Sequence, residues 1–388
     1  MLKRKDDGFK KVSEKISCDL IARFKYDYTK KISMADTRIR KLANILVNYS
    51  IKVKKGDTIA LNFGSEAREL ALEVYKLIIK KGAFPLVRVN LAGFAYNFYK
   101  LATKEQLERF PKIRMHIAKN TAGSIGIGTE YNTKEFTNID PKKIAIAKKV
   151  NKPISEVYLK KNNWVICEFP THALAQDAEM SLEEFEDFAY GATNIDWKKM
   201  SRKQDKLKRV LDKGRNVRIV GKDTDISFSI KGRKGIKCDG KRNMPDGEVF
   251  IAPVETTVNG RIAYSYPAIY GGREVDGIKL EFKNGKVVKA TAEKNEKFLK
   301  EMIKTDKGSK YIGEFGIGTN YSIKRFIKQI LFDEKIGGTI HLALGMAYKE
   351  GGGRNESALH WDMIKDLRKG GTVYIDNKCI QKNGKFLI

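Results

Sequence analysis

The chain has 388 residues, of which 41% are hydrophobic and 32% charged, and its formal net charge is +29. That length can bury two cores, the composition is that of a soluble globular protein, and no apolar run approaches the roughly 18 residues of a membrane span. Lysine is spread through almost every segment and interleaved with acidic residues, which argues against a nucleic-acid partner and for a solvated, lysine-rich surface.

Residues 1–33 are mostly charged and read as an appended arm, with Met34 as an alternative start. No apolar targeting segment follows the basic N-terminus, so a cytoplasmic location is expected. Between residues 37 and 49 the apolar positions Ile39, Leu42, Ile45, Leu46 and Tyr49 recur at the helical period. Lys55-Gly56-Asp57 then turns the chain into a strand at 58–63, a helix follows at 66–81, and a second strand at 84–90. Strand, helix and strand with short connections imply a parallel sheet with a right-handed crossover.

Further on, residues 113–118 read as strand-like, Gly123, Gly126 and Gly128 as a glycine-rich loop, 141–150 as a helix and 163–169 as a strand. The loop lacks the G-x-G-x-x-G order of a dinucleotide cradle. Ser181 with Glu184 three residues later is a capping box that starts another helix. After about residue 221 the pattern changes to short alternating strands, with Asn284-Gly285 and Asn383-Gly384 as hairpin turns and helical insertions near 293–304 and 321–331. The expected organisation is an arm (1–33), an α/β domain with a parallel sheet (34–220) and a β-rich, α+β domain (221–388) that carries the metal-binding chemistry. Cys18, Cys167, Cys238 and Cys379 form no C-x-x-C pair, which excludes a zinc ribbon and points to reduced thiols.

Two of the four histidines lie in the last fifty residues, in the run His341, Tyr348, His360-Trp361-Asp362. In an extended segment His360 and Asp362 share a face, so a nitrogen and an oxygen donor converge; the pair alone reads equally well as a hydrogen-bonded histidine. Glu248 and Glu314 each enter an apolar segment, where a divalent cation would keep a buried carboxylate ionised, although each alone also reads as an exposed glutamate at a strand end.

Taken together, the strings NMPDGEVFIAP, IGEFGIGTN, LFDEKIGGTIHLALGMAY and NESALHWD, with Asn132-Thr133-Lys134-Glu135 and Ser181-Leu182-Glu183-Glu184 earlier on, resemble the aminopeptidase T family of metallopeptidases from about Met34 to the C-terminus. The resemblance implies metal ligands at Glu248, Glu314, His341, His360 and Asp362, and an active-site tyrosine at Tyr348, either as a donor to the oxyanion or as a metal contact. It also implies two divalent ions (Zn²⁺, Co²⁺ or Mn²⁺) that activate a shared water, release of the N-terminal residue from short peptides, and a homodimer.

The general base is unassigned: Glu248 and Glu314 are candidates, either also reads as a purely structural ligand, and a metal-bound hydroxide would need no separate base. Glu356 is a candidate for orienting an imidazole, or else a solvated loop residue; His116 and His172 read as structural or surface groups. The short glycine-rich segment between Tyr348 and His360 departs from the family pattern. Two alternatives stay open: a dihydroxypyridine-type dioxygenase holding one Fe²⁺ on the same fold, and a basic nucleic-acid-associated protein.

Overall fold

The computed structural model describes residues 36–388; the arm and Met34 lie outside them. The Asp36 side chain caps helix α1 (Thr37–Asn44) by accepting from the backbone N–H of Arg38 at 2.7 Å, and Ile39, Leu42 and Ala43 turn inward. A π-helical turn, Ile45–Ser50, continues the same path.

Strand β1 (Thr58–Gly64), helix α2 (Arg68–Lys80) and strand β2 (Phe84–Asn90) form the expected unit, with β1 and β2 parallel from Thr58↔Phe84 to Gly64↔Asn90. Strands β3 (Gly123–Gly128) and β4 (Trp164–Glu168) extend this parallel sheet in the order β2-β1-β3-β4. Its far edge is the short strand Asn243–Met244, contributed from beyond residue 221. Ile59, Leu61, Ile125, Val165 and Met244 pack in the core beneath α1 and α2.

Four local readings are corrected, the first being the helical insertion expected near 321–331, which is irregular chain up to the short helix Ile330–Asp333. The strand-like segment around His116 is a helix, Lys112–Asn120, that starts directly after Pro111 and buries only Ala118; Ile113 is 77% exposed, so its apolar alternation faces no sheet. The glycines at 123–128 form β3 itself, where Gly128 runs so close to β4 that a Cβ on it would lie 2.5 Å from Glu168 Oε1. Helix α3 (Pro141–Lys161) runs through Pro153 and so is longer than the 141–150 expected.

Helix α4 (Leu182–Thr193) has the reciprocal capping box, Glu184 N–H to Ser181 Oγ at 3.2 Å and Ser181 N–H to Glu184 Oε2 at 2.8 Å. Helix α5 (Trp197–Lys213) leads into the β-rich half.

That half contains an eight-stranded antiparallel sheet beginning at Asn216–Gly221 and a five-stranded one. Both expected hairpin turns are present, with positive φ at Asn284 (50°) and Gly285 (84°) and at Asn383 (48°) and Gly384 (73°). The smaller sheet has the order β9-β8-β7-β6-β5: β5 (Ile236–Cys238), β6 (Glu248–Ile251), β7 (Ile312–Gly318), β8 (Thr339–Gly345) and β9 (His360–Asp366). Val217, Ile219 and Phe228 of the large sheet share one core with Val249, Phe315, Ile317, Leu342, Leu344, Trp361 and Met363 of the small one. Among the described residues no helix is long and apolar enough to cross a membrane.

Candidate metal centre

The two-residue period of a strand sorts the small sheet into two faces. Val249, Phe315, Ile317, Leu342, Leu344, Trp361 and Met363 point into the core, so their neighbours Glu248, Glu314, His341, His360 and Asp362 point to the other side. A bulge between Ile312 and Glu314 resets the alternation, which lets Ile312 join the core while Glu314 faces the site. Register then juxtaposes the donors: Gly316 lies opposite His341, Gly318 opposite Glu248, and Ala343 opposite both Glu314 and Asp362. On this face Gly316 and Gly318 let neighbours close over the sheet: a Cβ on either would lie 2.0 Å from the His341 ring or from the Ile336 carbonyl oxygen.

Helix α5 fixes the β6 edge. The buried Gln204 donates through Nε2 to the carbonyls of Cys238 (2.8 Å) and Glu248 (3.1 Å) and to Thr319 Oγ1 (3.0 Å), tying β5, β6 and the end of β7 to one side chain.

The structure brings together all five residues read from the sequence as metal ligands. His341 is completely buried, and its Nε2 lies 3.1 Å from both Glu314 Oε1 and Glu248 Oε2. Donor atoms of Glu248, Glu314 and His341 lie within 4.8 Å of one another, and so do those of Glu314, His360 and Asp362. Glu314 belongs to both trios. His360 Nδ1 faces the Met346 carbonyl at 2.9 Å, which places the proton on Nδ1 and leaves Nε2 free, 3.5 Å from Asp362 Oδ2. The residue that orients this imidazole is therefore Met346, through its backbone; Glu356 pairs instead with Lys349 at 3.2 Å on the surface. Tyr348, 44% exposed, stands at the rim, its ring centroid 5.2 Å from that of His360 and 5.6 Å from that of Phe250. His172 opens the helix His172–Asp177, capped by Thr171, and neither it nor His116 belongs to the cluster.

Two charged residues of the cluster were missed by sequence reading. Glu334 shares a third trio with His341 and Asp362, and the fully buried Lys335 donates from Nζ to Glu248 Oε1 at 2.5 Å and also to Glu334 Oε1. In sequence Asp333-Glu334-Lys335 looks like a solvated charge run; the signal was its position directly before the apolar, glycine-flanked strand that carries His341.

The donor set fits divalent cations. Glu248, Glu314, Glu334 and Asp362 bring four carboxylates against the single ammonium of Lys335, and burying such an excess without a counter-ion costs several kcal/mol per charge. Glu248 Oε2, Glu314 Oε2, Asp362 Oδ1 and His341 Nδ1 are buried with no hydrogen-bond partner. Electrostatics agree. Burial raises the carboxyl pKa of Glu248, but Lys335 and His341 outweigh it and hold the value at about 2. Glu314 is pushed up by burial and by the nearby carboxylates despite its hydrogen bond to His341. Burial works against a charged His341, yet Glu248 and Glu314 raise its pKa well above the usual imidazole value, so that a proton sits where a cation would be held.

Comparison with known proteins agrees with this chemistry. Residues 35–386 match the family described as thermophilic metalloprotease (M29). The chain is 28% identical to aminopeptidase AmpS of Bacillus subtilis, over 90% of this chain and 98% of that one, and 26% identical to aminopeptidase T of Thermus thermophilus, over 84% and 91%. In fold it is similar to the solved structure of AmpT from Thermus thermophilus (TM-score 0.81, 23% identity, 90% of this chain and 99% of that one). A weaker fold likeness links it to 2,5-dihydroxypyridine dioxygenase from Pseudomonas putida KT2440 (TM-score 0.58, 12% identity, 90% and 96%). Such a likeness speaks to architecture and not to chemistry. With a family match across nearly all of the described residues, and a buried cluster of carboxylates and imidazoles to hold a metal, this chain belongs to the thermophilic metalloprotease (M29) family.

Proposed function

We propose that the protein is a metal-dependent aminopeptidase that removes the N-terminal residue from short peptides, with two divalent ions (Zn²⁺, Co²⁺ or Mn²⁺) held by Glu248, Glu314, His341, His360 and Asp362. The observation that carries this reading is the pair of donor trios sharing Glu314, one with Glu248 and His341 and the other with His360 and Asp362. A carboxylate has two oxygens and can serve two ions, whereas an imidazole serves one, which matches a shared glutamate with one histidine on either side. This set is richer than the single facial triad that a one-iron dioxygenase requires. The aminopeptidase names of the relatives in Bacillus subtilis and Thermus thermophilus support the substrate class.

When bound, the ions supply Lewis acidity, polarising the scissile carbonyl and acidifying a water. The chain's own residues do the rest. Met346 O holds the His360 ring so that Nε2 faces the site. Lys335 restrains Glu248. The Tyr348 hydroxyl, protonated at neutral pH, stands at the rim as a donor for the negative charge that develops on the carbonyl oxygen. A homodimer belongs to the same reading, and light scattering coupled to size-exclusion chromatography tests it.

The functional test compares a short peptide with its N-acetylated form, using protein stripped of metal and then reloaded. Release of the first residue from the free peptide only, restored by metal, supports the reading. Equal cleavage of the blocked peptide, or turnover in the stripped protein, contradicts it.

A further inference from the structure

Lys335 is completely buried beside these donors, yet its ammonium has no lone pair with which to hold a cation. A buried ammonium beside a cation site should weaken that site by repulsion, so its place calls for a reason. Its geometry supplies one. Nζ donates to Glu248 Oε1 at 2.5 Å and to Glu334 Oε1, while Glu248 Oε2, free of any hydrogen bond, lies 3.1 Å from His341 Nε2. The two oxygens of one carboxylate thus have different surroundings.

The backbone that delivers Lys335 is fixed independently. The Asn320 N–H donates to the Lys335 carbonyl at 3.0 Å, and Asn320 Nδ2 donates to the carbonyls of Asp246 (3.0 Å) and Ala192 (3.2 Å). The next residue, Ile336, lies over Gly318, the strand partner of Glu248, so closely that a Cβ there would sit 2.0 Å from the Ile336 carbonyl oxygen. The ammonium is therefore presented from a rigid segment and not from a flexible surface chain.

We propose that Lys335 is a positioning residue of the metal centre: it holds Glu248 by one oxygen so that the other faces the ion shared with His341 and Glu314. The proposal rests on the two-ion assignment above. Removing an outer partner of a metal-ligating group typically lowers metal affinity about 10- to 100-fold. A lysine that served only as a repelling counter-charge would give the opposite sign, tighter binding on its removal.

The test is calorimetric titration of metal-free, full-length protein with Mn²⁺ for the wild type, Lys335→Met, Glu248→Gln and the double variant. In Lys335→Met one of the two ions is expected to bind about 10- to 100-fold more weakly with the other unchanged. In the Glu248→Gln background the further change Lys335→Met should cost little more, because the lysine acts through that carboxylate. Lys335→Gln, which keeps a donor near Glu248, should recover part of the loss, and it carries the comparison if Lys335→Met does not fold. Unchanged or tighter binding on loss of Lys335, equal weakening of both ions, or fully additive losses in the double variant would overturn the proposal while leaving the metal assignment standing. If Glu248→Gln binds Mn²⁺ as the wild type does, the metal assignment itself fails and the role of Lys335 falls with it.

Discussion

Gly316 and His341 are strand partners, and a Cβ on Gly316 would lie 2.0 Å from both Cε1 and Nε2 of the imidazole. The Cε1–Nε2 edge of the ring occupies the space that a side chain on the glycine would take, and Nε2 lies 3.1 Å from both Glu248 and Glu314. Gly316→Ala should displace the ring, weaken metal binding about tenfold or more, and cost about 1–3 kcal/mol through overpacking. Metal titration and chemical denaturation check both effects; unchanged metal affinity would mean that His341 is not held by this contact.

The shared position of Glu314 gives a graded expectation for ligand removal. His360→Ala and Glu248→Gln each disturb one donor trio and should leave one ion per chain, whereas Glu314→Ala disturbs both and should leave neither. Metal analysis after dialysis, alongside circular dichroism to verify the fold, reads the difference. A Glu314→Ala protein that retains one ion would show that the carboxylate serves a single site.

Tyr348 stands outside the carboxylate cluster at the rim, and so should act on the reaction rather than on metal retention. Tyr348→Phe is expected to lower kcat by about 100-fold, the scale of a lost oxyanion donor, with metal content and KM nearly unchanged. Loss of an ion in that variant would identify the phenol as a ligand.

Asp306 ties the chain before β7 to the segment that enters β9. Its carboxylate accepts from the N–H groups of Gly308 (2.9 Å), Ser309 (2.9 Å) and Ala358 (2.7 Å) and from the Ser357 hydroxyl (2.9 Å). Burial raises its pKa, but these hydrogen bonds outweigh burial and lower it below the ordinary value. A depressed carboxyl contributes stability that is fully present above its unfolded pKa, near 4, and is lost as pH falls through the folded value. Asp306→Asn should therefore lose about 1–2 kcal/mol at neutral pH and show a shallower decline in stability below pH 4. A variant as stable as the wild type at pH 7 would show that the loop is held by other contacts.

Much of this architecture was legible because period and turn chemistry are local. The β1–α2–β2 unit, the Ser181 cap and the two Asn-Gly hairpins follow from patterns within a dozen residues. The readings that failed depended on distant neighbours. The apolar residues of Lys112–Asn120 alternate as in a strand, but only Ala118 is buried and Ile113 is exposed, and Gly128 of β3 gains its meaning from the close approach of Glu168. At the candidate metal centre, spacing and apolar flanks made His360, Asp362, Glu248 and Glu314 candidates that read as well or better as ordinary polar groups, and the resemblance to the aminopeptidase T family is what singled them out together with His341. Lys335 was not readable, because a lysine in Asp333-Glu334-Lys335 is ordinarily solvated; only the packing of Asn320 and Ile336 reveals it as buried against Glu248. The orienter of His360 was equally hidden, since a backbone carbonyl leaves no signature in sequence.

The two-ion site is tested most directly by the number of Mn²⁺ ions bound per chain when the metal-free, full-length protein is titrated to saturation at pH 7. Two ions per chain in the wild type, and none at the same concentrations in Glu314→Ala, is the expected result. Saturation of the wild type at a single ion would contradict it.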